Sequence, residues 1–260
     1  MAKIQPFYSI QAGWLRYKNK AGMYSAFAVV SIMISGALGG IATAVGSVFE
    51  GQVFLQTTVT ALIIGIVGAF LNMGYAHFAK NDIEGADVEF RDFFAGFMLN
   101  RSKLIAVTII AVLAAQGASL LLPTELMAFN ITQEQSQNME ELMMAFEDQL
   151  ELAKAHSSSL YLFVLIQGVL GLLLFFTAFR SSLEGEDPLV SIQWSIRHAL
   201  SNVIPIITTM FLLVVLAIVV TVFTLGFGLL VVLPLIALVT YDMYTQLIQA
   251  AENIEKITPE

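Results

Sequence analysis

Long stretches without a single formal charge constrain this chain more than any motif in it. No Lys, Arg, Asp or Glu occurs between Lys20 and Glu50, Glu50 and Lys80, Lys103 and Glu125, or Lys154 and Arg180. Each gap is at least as long as the ~20 residues that carry a helix across a hydrocarbon layer of roughly 30 Å. The gap from Arg197 to Asp242 is about twice one span, and Gly226 and Gly228 interrupt it where a tight turn would divide it into two helices. The pattern predicts six transmembrane helices. Composition agrees: 57% of the residues are hydrophobic, 12% are charged and the mean hydropathy is +0.79, the range of integral membrane proteins.

Between the spans lie charged amphipathic inserts that resemble one another. Ile83-Glu84-Gly85 and Leu183-Glu184-Gly185 stand one hundred residues apart, as do Asp87 and Asp187. Either aspartate suits a helix N-cap, because its carboxylate can accept from the free N–H groups of the first turn, and Pro188 fits the first helical position. Phe90, Phe93, Phe94, Phe97 and Met98 then form one apolar stripe, and Leu189, Ile192, Ile196 and Leu200 form another. Phe7, Ile10, Trp14 and Tyr17 form a third before the first span. Helices too short and too charged to span, set directly against spanning segments, read as interfacial elbows in the headgroup plane. The expected fold is all-α and polytopic. It has six transmembrane helices as three hairpins, each preceded by an amphipathic elbow, in a single domain over 1–260 with pseudo-repeats at about 1–80, 81–180 and 181–250. The alternative is that inserts between membrane helices are amphipathic without being related.

Orientation follows from the cations. Counting loops from the N-terminus, one side holds Lys3, Arg16, Lys18, Lys20, Lys80, Arg91, Arg101, Lys103, Arg180, Arg197 and Lys256, and the other holds Lys154 alone. The positive-inside rule then predicts cytoplasmic termini and elbows. The polar segment MAKIQPFYSIQAGWLRYKNK is unlike the apolar region of a signal peptide, so no cleavable leader is expected. The net charge of −8 argues against a nucleic-acid partner, and the absence of cysteine removes disulfides and thiolate chemistry.

The stretches GWLRYKNK, NDIEGADVEFRDFFAGF and LGFGLLVVLPLIALVTYDMY resemble bacterial six-helix membrane families of unknown function. Relatives of these families include the membrane domain attached to some glycerophosphodiester phosphodiesterases. The likeness covers nearly the whole chain. It implies a compact protein of the bacterial inner membrane and supplies no catalytic residues.

Small residues recur at i, i+4, i+8 in the first three spans: Gly36, Gly40 and Ala44; Ala61, Gly65 and Ala69; Ala111, Ala115 and Ser119. Such stripes let membrane helices approach closely, or leave a groove for lipid. Polar residues at membrane depth are costly, so they are the candidate functional positions. They are Asn72, Gln116 and Gln167, each also able to bond across a helix interface, with Thr208 and Thr209 in the fifth span. His77 and Asp242 fall near the basic ends of the second and sixth spans, where headgroup contact or interfacial solvation is expected. No charged residue lies at mid-membrane, so an ion-coupled carrier lacks its usual parts. His77, His156 and His198 stand on separate segments without a ligand spacing, no G-x-S-x-G occurs, and the first elbow's carboxylates are interleaved with Arg91. Neither a metal or other cofactor nor a catalytic group is expected, and the chain reads as non-enzymatic. Asn130-Ile131-Thr132 matches a glycosylation sequon, which has meaning only in a eukaryotic secretory pathway.

The one large insert on the opposite side should hold an acidic helix, Gln133 to Lys154, with Thr132 and Gln135 as a capping box. Its apolar stripe of Met139, Leu142, Met143, Phe146 and Leu150 is expected to pack on the bundle or on a protein partner. Two readings follow, and the first is preferred. The protein is a membrane scaffold or regulator, or it handles lipid or a small apolar solute in a space between the hairpins. A laterally open groove lined by Asn72, Gln116 or Gln167 would favour the second.

Overall fold

A computed structural model describes residues 3–49, 51–127 and 138–257 of the chain. The sequon at 130–132, the capping box at 132–135 and the start of the predicted acidic helix lie outside the described residues. Among those described, the structure is helical throughout, without strands. Six helices are long and apolar enough to cross a membrane: Ala21–Phe49, Val53–Ile83, Arg101–Ser119, Ser157–Leu183, Val203–Phe223 and Leu229–Ala250. They are called spans one to six below.

The division of the long gap lands where the glycines predicted it. Span five ends at Phe223, Leu225 and Gly226 take positive φ values of 53° and 95°, and the Gly228 N–H donates to the Thr224 hydroxyl at 2.6 Å. Span six is the centre of the bundle. Its apolar window is 67% buried, against 11–22% for the other five, and the largest buried cluster runs along it from Leu235 to Leu247. Span one packs on spans two and six, span two also on span three, span three on span four, and span five on span six.

Three short segments precede spans one, three and five. The helix Pro6–Asn19 packs on span six, where Gly13 allows close approach: a Cβ there would stand 2.6 Å from a Val239 methyl and 3.1 Å from the Val239 nitrogen. The helix Pro188–Ser201 begins as predicted, with the Asp187 carboxylate accepting from the Leu189 N–H at 3.2 Å and Pro188 in the first turn. It packs on span four. Ser9, Gly13 and Tyr17 point inward from the first helix and Ser191, Ser195 and Ala199 from the other, while Phe7, Trp14, Leu189 and Leu200 point away from the bundle.

The middle segment departs further from its predicted form. It is a 3₁₀ helix, Phe90–Phe97, capped by a reciprocal pair in which the Glu89 side chain accepts from Asp92 and the Asp92 side chain accepts from the Glu89 N–H. Three residues per turn put Phe93 and Gly96 on one line, and both are buried against span two. The Phe93 ring lies 4.0 Å from Phe78 and 4.4 Å from Phe27, stacked on both, with Tyr24 and Tyr75 at its edges. Farther in, Phe97 stacks on Phe70 at 4.8 Å. Phe70 is eight residues, about 12 Å of helix, from Phe78, so the segment runs back along span two and does not lie flat across its end.

Span four is broken between Leu173 and Thr177. A break at membrane depth strands backbone groups that have no water to turn to. Ser195 repairs it: its hydroxyl accepts from the Phe176 N–H at 3.1 Å and donates to the Leu173 carbonyl at 2.7 Å.

Candidate functional site

Gly36 and Gly40 of the predicted stripe in span one do not bring helix backbones together. A Cβ on Gly36 or Gly40 would meet nothing within 4 Å, whereas one on Gly65 in span two would stand 2.9 Å from Val112 of span three. The space left beside Gly36 is a groove of about 680 Å³ between spans one, two and six. Gly68, Leu71, Leu233 and Ile236 give it apolar walls, and Ser31, Ser35, Asn72 and Tyr75 supply its polar atoms. Asn72 is exposed, eleven residues and about 16 Å of helix from the end of span two at Ile83. The Ser31 and Tyr75 hydroxyls are buried beside one another and make no hydrogen bond to any other group. The groove can thus offer an uncharged guest apolar walls and donors at membrane depth.

The other two amides act as helix glue. Gln167 donates to the Ala115 carbonyl at 2.9 Å, joining spans four and three, and the Gln116 side-chain oxygen lies 3.4 Å from the Thr57 hydroxyl of span two. Thr209 donates to the Pro205 carbonyl within its own helix.

His77 and Asp242, expected at a solvated interface, are buried and partnered. His77 Nε2 lies 3.0 Å from the Ser182 hydroxyl of span four. The Asp242 side chain, 3% exposed, pairs with Arg16 at 2.9 Å and accepts from Gln246 Nε2 at 2.8 Å. Gln246 also donates to the Ser9 hydroxyl and accepts from the Gln5 N–H, and Asn202 accepts from the Ile4 N–H. The N-terminal segment is therefore pinned to the last span and to the start of the fifth. Outside the spans, His198 Nδ1 donates to the Trp194 carbonyl at 2.8 Å and its ring stacks on Trp194. Burial pushes its pKa below the ordinary value.

At the basic end, spans two, four and six converge on a second cavity of about 270 Å³. Its wall includes Ile83 and Glu84, Leu183 and Glu184, and Ile248 and Gln249. Gly85 and Gly185 follow the two glutamates with φ of 79° and 65°, so the repeated Glu-Gly pair is the same helix-ending turn in both places. Arg16 and Lys80 bring cations to this cavity and Tyr241 and Tyr244 bring phenols.

Sequence reasoning reached Asn72 and missed Ser31, Ser35, Arg16 and Tyr244. The hydroxyls at 31 and 35 carry a signal, since with Gly39 they continue an i, i+4, i+8 line of small residues. Among the described residues no group of three His, Asp or Glu side chains could hold a metal ion. No family model, curated protein or solved structure matches the chain.

Proposed function

We propose that this is a non-enzymatic protein of the bacterial inner membrane that holds a lipid or small apolar solute in the groove between spans one, two and six. The observation that carries the reading is Asn72: an exposed amide facing acyl chains is costly unless something bonds it. An occupant with one uncharged hydrogen-bonding group would satisfy Asn72 together with Ser31 and Tyr75. In this reading the spans form three hairpins with both termini cytoplasmic. Support comes from the eleven-to-one cation split and from a cyclic pattern, in which each short segment packs on the second helix of the preceding hairpin: Pro6–Asn19 on span six, Phe90–Phe97 on span two, Pro188–Ser201 on span four.

Filling the groove tests it. Gly36→Leu and Asn72→Leu should strip co-purifying lipid from gently extracted protein, read by native mass spectrometry, without lowering its melting temperature. An unchanged complement of bound molecules in both variants would reject the groove as the site. The scaffold reading keeps one observation of its own: Met139, Met143, Met144 and Leu150 of the acidic helix Met139–Ala155 are exposed, which would suit a protein partner.

A further inference from the structure

The cavity at the basic end is bordered both by donors with unmade bonds and by carboxylates. Arg16 uses Nη2 on Asp242, and its Nη1 is buried without a partner. Tyr244 is 1% exposed and forms part of the cavity wall, and its hydroxyl, which Arg180 approaches, has no acceptor for its proton. Lys80 makes only long contacts, 3.4 Å to the Leu183 carbonyl and 3.7 Å to Glu184. Unmade bonds at buried donors are expensive, and these three border one space. The same space is bordered by Glu84 and Glu184 on exposed helix ends; Glu184 is the carboxylate Lys80 approaches, and no ion pair of Glu84 occurs among the described residues.

Two cations and two carboxylates around one small cavity discriminate by charge pattern. A simple anion meets the glutamates, and a simple cation meets Arg16 and Lys80. A molecule with an oxyanion and an ammonium a few ångströms apart satisfies both. Three donors match the three oxygens of a phosphate better than the two of a carboxylate. The volume, about that of nine waters, suits a group of this size. We propose that this cavity binds an aminoalkyl phosphate of the ethanolamine phosphate type. Its phosphate accepts from Arg16, Lys80 and Tyr244, and its ammonium donates to Glu84 and Glu184. The group is either a free metabolite or the head of a phospholipid, and its binding does not depend on what fills the groove.

The test uses the full chain in mild detergent, with thermal shift and calorimetry against O-phosphoethanolamine, inorganic phosphate and ethanolamine. The parent should bind O-phosphoethanolamine at least tenfold more tightly than either fragment. Tyr244→Phe keeps the ring against Phe176 and Phe179 and should weaken binding about tenfold. The exposed pair Glu84→Gln with Glu184→Gln should reverse the preference, losing the zwitterion and gaining inorganic phosphate. Native mass spectrometry separates the sources. A retained phosphatidylethanolamine that Tyr244→Phe releases identifies the lipid head, and binding of the free compound with no retained lipid identifies a soluble ligand. The proposal is overturned if the parent prefers neither the compound nor the lipid, or if the glutamine pair leaves the preference unchanged.

Discussion

The tightest backbone contact between the 3₁₀ segment and the bundle passes through Gly74, and adding one methyl group there measures how much depends on it. A Cβ on Gly74 would sit 2.2 Å from the Phe93 carbonyl oxygen, against an ordinary contact minimum of 3.4 Å, so backbone must move by 1.2 Å. The obstacle is a carbonyl, not the end of a flexible side chain, and rotation cannot relieve it. Shifting the segment by that amount also opens the stacks of Phe93 on Phe27 and Phe78. Overpacking alone costs about 1–3 kcal/mol, and loss of a buried phenylalanine's contacts about 3–5 kcal/mol. A net loss of about 3 kcal/mol is expected for Gly74→Ala, because alanine returns up to about 1 kcal/mol of helix propensity. At about 2–4 °C per kcal/mol for a chain of this size, the melting temperature in detergent should fall by roughly 6–12 °C. Gly168→Ala is the control, since a Cβ there meets nothing within 4 Å, and it should be neutral or slightly stabilising. If both variants melt like the parent, the segment is not packed on span two as described.

Other perturbations address the remaining contacts. Asp242→Asn should destabilise by about 3–5 kcal/mol by leaving Arg16 half-buried and unpaired, whereas Arg16→Met with Asp242→Leu should recover most of the loss in thermal unfolding. Ser195→Ala strands the Phe176 N–H and the Leu173 carbonyl and should cost about 1–3 kcal/mol. Cysteines at the exposed positions Lys18 and Glu147 should label from opposite faces of intact membranes, and labelling from one face would refute six spans. Ser9, on the same segment as Lys18, is buried and should not label. His198 resists protonation when folded, so its contribution is fully present above its unfolded pKa of about 6.5 and is lost as the pH falls below that. A His198→Gln variant should therefore show a flatter profile of melting temperature between about pH 5 and 7.

What could be read from the sequence was whatever depends on local pattern. Charge gaps place the six spans, Asp187-Pro188 places a helix start, and Gly226 places a turn. Which face of a short helix meets the bundle is not told by its apolar stripe, because such a stripe points inward only where the surroundings are water. Against lipid, close packing selects the small residues Ser9, Gly13, Ser191 and Ser195, and the large apolar side chains are left facing out. The 3₁₀ form of Phe90–Phe97 was hidden because Phe90, Phe93, Phe94 and Phe97 fit i, i+3 and i, i+4 spacings alike. The burial of Asp242 could not be foreseen from its neighbours, since its partner Arg16 comes from the other end of the chain. Asn72, Gln116 and Gln167 looked equivalent in one dimension. Only the packing of spans two, three and four separates the amide left exposed from the two that are bonded.

The order of the spans carries one more consequence. Span six is made after the other five and is the most buried of the six, while each of those five buries at most 22% of its apolar stretch. Its contacts with span one and with Pro6–Asn19 are therefore unavailable until the other five spans have been synthesised. Several of them are polar: Asp242 to Arg16, and Gln246 to Ser9 and Gln5. Membrane helices associate through packing and hydrogen bonds and gain little by hiding apolar surface from one another. The late polar contacts can thus decide which surface the N-terminal helix occupies, and Pro6–Asn19 and span six close the bundle as a pair.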